Sequence, residues 1–448
     1  MAHEKVNRTK FLFKIIFIII IIITILSFST EILFIPTSNN ITTPITVLPP
    51  SFNSSEEKFL TYLPHSGFHN QHDAFINAIM LSYLTNRTLI MPPILTNYYP
   101  PWSTFHSLYN ALNKSVIAKK YRKEHCYIKN DGNGENIDNF CDNNKYSKYD
   151  NFTMLNWDQL FDLSELKKHV KMVDRGYDFS LDNLISDFNV GENDTYLFIE
   201  DKRFEFEFFD NDNSTRQIHE DFEKKFLISD LIKIDKKLLH FASLFHINRI
   251  VLENQHNIEF RHLIHNTLII NNSKLLNIAN GIIKKLGDKG NYIGLHIRIG
   301  DGIYIDEAED NKILIFNELM NYLLESGLLR NSKKFFKYNL KECVSHNLPI
   351  IYLATDANDP RKNLYKFYKN IPCVFTLMDF SKDLENFGNI PSDFDEDTNL
   401  KSFYVPIVDL LVTAYGNFFI GTPKSTFSMA AVEINNLYHG KNALVALP

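Results

Sequence analysis

Only four cysteines occur in the 448 residues, Cys126, Cys141, Cys343 and Cys373, and no two stand in a C-x-x-C pair. That spacing argues against a thiol-ligated metal site or a dithiol redox motif. The even number still allows disulfides, and local pairing as Cys126–Cys141 and Cys343–Cys373 is the simplest of the three connectivities. A basic excess is also missing. Lysine and arginine number 47 against 53 acidic residues, a formal charge of −6, so the chain has no electrostatic footprint for nucleic acid. What is present is globular: 44% hydrophobic and 22% charged residues, in a chain long enough for two domains with full cores. Asn, Ile and Lys are over-used, so motifs built from those letters carry less weight.

The N-terminus holds a nearly uninterrupted apolar run at 11–28, about the length of a bilayer-crossing helix. Lys5, Arg8, Lys10 and Lys14 precede or enter it, and Glu31 is the first charge after it. The positive-inside rule then predicts a cytoplasmic tail at 1–10, a signal anchor at 11–28 and a luminal body. Lys14 can snorkel toward the interface. A cleaved signal peptide ending at Ser27–Ser29 is the alternative. Residues 29–57, rich in Ser, Thr, Pro and Asn, read as a flexible stem. N-glycosylation sequons between Asn40 and Asn271 are compatible with a luminal body.

From residue 58 the pattern alternates between strand and helix. Strand, turn, helix and strand follow one another over 59–91, which predicts a βαβ unit and a parallel sheet. The segment 97–235 shows few periods and reads as connections and insertions, whereas 238–287 reads as helical. A second α/β series follows: strands at 292–298, 350–354, 373–376 and 417–420, with helices at 313–324, 407–415 and 426–437. Pro406 is placed at the start of the helix that follows it. The economical architecture is two Rossmann-like, doubly wound domains, 58–284 and 285–448. In such sheets ligands bind at the carboxyl ends of the strands.

Three strand-to-helix junctions carry groups suited to an anion. In "YIGLHIRIGDG" the apolar residues alternate, which leaves His296 and Arg298 together on the second face. Arginine is always charged, and its planar fork matches phosphate geometry. A structural arginine paired with Asp301 or Asp356 is the competing reading. In "GTPKSTFS", Ser425 and Thr426 fall at a helix start, where hydroxyls and free N–H groups can bind an anion or merely cap the helix. In "SGFHNQ", Gly67, Asn70 and Gln71 open another helix. Asp409 is a carboxylate in an otherwise apolar helix, suited either to the helix dipole or to accepting two N–H bonds from a guanine edge.

Taken together, "YLPHSGFHNQ", "YIGLHIRIGDG", "YLATDAN" and "FFIGTPKSTFS" resemble, in order, the GDP-fucose protein O-fucosyltransferase-like family, with matches from about residue 62 to 428. The resemblance implies a GT-B fold and inverting transfer of fucose from GDP-fucose to an acceptor hydroxyl of a protein Ser/Thr or a glycan, with no metal cofactor. It implies donor contacts from Gly67, Asn70, His296, Arg298, Asp409, Ser425, Thr426 and Phe427. Arg298 would stabilise the departing GDP, and Asp301 is the nearest candidate for the base, or for orienting Arg298. His69 stands where the family often has glycine. The expected location is the ER or Golgi membrane, as a single-pass type II protein. Two rival readings are a metal-dependent GT-A transferase using "DND" (210–212) or "DFD" (393–395), and a non-catalytic luminal protein binding nucleotide sugars or glycans.

Overall fold

The computed structural model describes residues 57–125, 127–130, 136–140, 149, 151–328, 338–440 and 443–445. The expected tail, anchor and stem up to residue 56, and Cys126 and Cys141, lie outside these residues. Among the described residues, no helix is long and apolar enough to cross a membrane.

Two five-stranded parallel sheets organise the body. The first comprises β1 (Phe59–Tyr62), β2 (Thr88–Met91), β3 (Met172–Asp174), β4 (Thr195–Phe198) and β5 (Leu238–Phe241), in the order β3-β2-β1-β5-β4. The second comprises β6 (Ile293–Ile297), β7 (Ile351–Thr355), β8 (Val374–Phe375), β9 (Phe418–Gly421) and β10 (Ala443–Val445), in the order β8-β7-β6-β9-β10. Strand pairing is parallel throughout both. A smaller parallel sheet joins Phe206–Phe209 to Lys224–Leu227 and Ile250–Val251. Each main sheet runs outward in both directions from its first strand, so the chain changes direction beside β1 and beside β6. Such a switch point leaves a crevice at the carboxyl ends of the strands.

The helices that matter for the site are α1 (Phe68–Thr85), α2 (Gln255–Thr267), α3 (Ser273–Lys285), α4 (Ala308–Glu325), α5 (Lys401–Ala414) and α6 (Thr426–His439). Parallel strands are covered on both faces and therefore lean apolar. On one face of β6, Ile293, Leu295 and Ile297 pack with Ile315, Leu319 and Leu323 of α4. On its other face, α5 approaches so closely that a Cβ on Gly294 would lie 2.0 Å from the Thr413 carbonyl oxygen. Cys343 and Cys373 form a disulfide that closes a 30-residue separation ahead of β8. In the chain-entropy account a loop of that size contributes about 3–4 kcal/mol.

Three segments differ from the sequence reading. The region 97–235 contains β3, β4, a 21-residue helix (Phe105–His125) and most of the small sheet. Its strands are three to five residues long, too short to show a clear period. The stretch 238–287 opens with β5 and the short strand Ile250–Val251 before turning helical, because "LLHF" is buried on both faces and mimics a helix segment. Pro406 lies inside α5 rather than at its start, which moves Asp409 out of the first turn. The helix tolerates this proline because it is exposed, as is Ser402, so the carbonyl it leaves unpaired can reach water.

Candidate active site

The site grows from the switch point between β6 and β9. Thr422, just past β9, ties the two strand ends together. Its backbone N–H donates to the His296 carbonyl at 3.1 Å, and its Oγ1 accepts from the Arg298 N–H at 2.9 Å. The next turn is held by Asp356, which accepts the Ile299 and Gly300 amides at 2.8 and 3.0 Å. Arg298 is thereby presented at the strand end. Its Nε and Nη2 donate to the two oxygens of Asp301, each at 2.9 Å, and its guanidinium lies 4.6 Å over the Tyr304 ring. Burial works against the Arg298 charge, but the Asp301 hydrogen bonds and charge outweigh it and raise the pKa. Asp301 uses both oxygens on Arg298 and is otherwise exposed. The alternative partner, Asp356, binds the backbone of the loop.

His296 is buried beneath α6. Its Nδ1 lies 2.8 Å from Ser428 Oγ, and its ring stacks on Phe427 at 4.3 Å. Phe427 in turn meets the His69 ring edge-on at 5.5 Å. This ladder of three rings brings the N-terminus of α1 to the N-terminus of α6. Burial, reinforced by neighbouring cations and histidines, lowers both His69 and His296 to a pKa of about 3, so both are neutral. Ser425 is the N-cap of α6, yet its hydroxyl makes no capping bond and is fully buried without a hydrogen-bond partner. Thr426 and Phe427 form the first turn, half-buried. The first-turn amides of a helix have no intrahelical partner. Two such sets of donors, with their positive dipole ends, therefore converge beside one arginine.

On α1, Gln71 is a structural clamp. Its amide nitrogen donates to the Ser66 and Leu95 carbonyls at 2.9 and 3.0 Å, and its oxygen accepts the Leu95 N–H at 2.8 Å. Asn70, half-buried beside it, makes no side-chain hydrogen bond among the described residues. Gly67 caps the helix at φ −65°, and a Cβ there would make only ordinary contact with Tyr99 at 3.8 Å.

Asp409 projects from α5 toward β7 and accepts the Tyr352 hydroxyl at 2.5 Å. Burial raises its pKa to about 7, against a smaller lowering by that hydrogen bond. A carboxyl that keeps its proton to about pH 7 when folded, but loses it near 4 when unfolded, stabilises the fold less as pH rises across that window. Asp409→Asn is therefore expected to match the wild-type unfolding temperature at pH 4 and to exceed it at pH 8. An offset independent of pH would refute this assignment.

Three of the four carboxylates in the two D-x-D stretches are engaged elsewhere, and the fourth, Asp212, is exposed. Asp210 accepts the amides of Glu253 and Asn254 ahead of α2, Asp393 accepts from Gln159, and Asp395 pairs with Lys119. Among the described residues, one group has metal-ligand composition: His219, Asp221 and His246. There His246 Nδ1 accepts the Asn248 amide at 3.0 Å, so in the neutral ring Nε2 keeps the hydrogen and donates it to Asp221 at 3.1 Å. No lone pair remains on that ring for an ion.

Sequence reasoning missed Thr422, Tyr304 and Ser428 as site-builders. Thr422 and Ser428 stood within a quoted motif, but only the strand register shows which groups they hold.

The sequence profile of the GDP-fucose protein O-fucosyltransferase family matches residues 137–438. The chain belongs to that family. A curated relative, O-fucosyltransferase 30 of Arabidopsis thaliana, is 55% identical over 42 residues, a stretch that spans 9% of this chain and 8% of the relative. Among solved structures, POFUT1 in complex with GDP aligns with a TM-score of 0.40 at 12% identity, covering 87% of this chain and 98% of its own. The fucosyltransferase NodZ from Bradyrhizobium aligns with a TM-score of 0.39 at 13% identity, covering 84% and 93%.

Proposed function

We propose that the protein transfers fucose from GDP-fucose to an acceptor hydroxyl, of a protein Ser/Thr or a glycan, with inversion and without a metal ion, across a GT-B-type cleft. The observation that carries the reading is the convergence of Arg298 with the N-termini of α1 and α6. As fucose leaves, negative charge grows on the β-phosphate. Fixed donors aimed at that charge, already oriented before the reaction, lower the barrier most effectively. Asp301 occupies only Nε and one hydrogen of Nη2, which leaves three guanidinium N–H groups for the diphosphate. In this reading Asp301 positions Arg298 rather than serving as the base. Asn70 and the orphaned Ser425 hydroxyl would add donors, and Asp409, in its ionised form, would accept the guanine edge. The apolar run at 11–28 supports a type II anchor, with the body in the lumen of the ER or Golgi.

The test is thermal stabilisation of the soluble body by GDP, GDP-fucose and UDP, with EDTA present throughout, followed by donor hydrolysis without acceptor. The expected result is stabilisation by both guanosine nucleotides but not by UDP, and slow release of fucose. No stabilisation by either guanosine nucleotide would overturn the proposal.

A further inference from the structure

We propose that the His69 imidazole binds the diphosphate of the nucleotide sugar directly and takes up a proton as it does so, which rests on the donor site described above. His69 is the second residue of α1, in the turn whose amides have no intrahelical partner. Its ring lies between Phe68 at 5.3 Å and Phe427 at 5.5 Å, so its position is fixed by packing. Neither ring nitrogen has a hydrogen-bond partner among the described residues, although the side chain is half-buried. The ring nitrogens are thus free to meet a ligand, as donors or acceptors according to the proton they carry.

The charged and titratable groups around it define the sign of the effect. His72 lies one turn along α1, and His296 and Arg298, at the end of β6, are near enough for Arg298 to disfavour charge on His69 and for His69 to disfavour it on His296. Glu433 of α6 and His265 of α2 line the far wall of the cavity they share with His69 and His72. They are 3.6 Å apart, so Glu433 is already paired. Asp301 is tied to Arg298. Asp73, one turn along α1 from His69, is pushed well above the usual carboxylate range by burial and the neighbouring Glu433. No free, ionised carboxylate among these groups is therefore left to balance a second cation beside Arg298, and burial, with His72 and Arg298 nearby, keeps His69 neutral in the bare site. A diphosphate reverses that balance. It neutralises Arg298 and supplies anionic oxygens that favour the charged ring, which then donates from both nitrogens. Hydrogen bonds from an ionised donor to phosphate are about twice as strong as neutral ones. The added proton also offsets the charge that builds on departing GDP.

The experiment is calorimetric titration with GDP-fucose at pH 6.5 in two buffers of different ionisation enthalpy, on wild type, His69→Gln and His69→Gly. GDP-fucose is used because its diphosphate has no group of its own titrating near that pH. The glycine variant restores the residue that the resembled family often carries, which guards against a folding defect. Wild type is expected to take up more protons than either variant, by up to one per nucleotide. The variants are expected to bind about tenfold more weakly. Equal proton uptake by all three proteins would overturn the role of His69 while leaving the donor site standing. Absence of binding to wild type would overturn the donor site, and this proposal with it.

Discussion

Arg298→Ala is expected to leave the chain folded and to lower fucose transfer by about a thousandfold or more. The scale is that of removing a fixed donor, or an arginine, from the charge that develops in a transition state. The fold should survive because Arg298 is partly exposed and its ion-pair partner, Asp301, is largely exposed. Pairs of that kind contribute about 0–1 kcal/mol. Arg298→Lys keeps the charge but loses the planar fork, so it should recover only part of the rate. The measurement is the initial rate of transfer or donor hydrolysis beside an unfolding curve. A variant with an intact fold and near-wild-type rate would remove Arg298 from the mechanism.

The second large effect is on the fold. Gly294→Ala is expected to destabilise the protein by about 3 kcal/mol or more, at or beyond the upper end of ordinary overpacking. The reason is that the new Cβ would sit 2.0 Å from the Thr413 carbonyl oxygen and 3.0 Å from its carbon. These are backbone atoms of α5 and cannot swing aside, so the helix must lift from the sheet. That helix also carries Asp409, so nucleotide binding should weaken along with stability. Denaturant unfolding measures the first effect and titration with GDP the second. Gly67→Ala is the control, since its Cβ meets only the Tyr99 hydroxyl at 3.8 Å. Equal stability of the two variants would show that α5 yields easily.

Much of this was legible in the sequence because it is local. The alternation in "YIGLHIRIG" marks β6, and the arginine two residues past a histidine marks its exposed end. What was not legible depends on contacts distant in the chain. Nothing in "GTPKSTFS" shows that Phe427 will stack on His296, or that His69 will meet it from the other side. Asp301 and Asp356 both stand as partners for Arg298 in the sequence. The turn after β6 assigns Asp301 to the guanidinium and Asp356 to the backbone amides. The short strands β3 and β4 were lost among aromatic and acidic letters. Pro406 misled for another reason: an exposed helix face can absorb a missing hydrogen bond that the core could not.

Ser428 has a consequence for how the nucleotide side of the cleft behaves. Its hydroxyl contacts His296, while a Cβ on Gly421 would fall 2.6 Å from its own Cβ. Helix α6 is thus seated on β6 and β9 with no room to slide. The conformational entropy of ordering that half is lost once, when the chain folds, and not again at each binding event. A ligand arriving there meets a surface already in its bound shape.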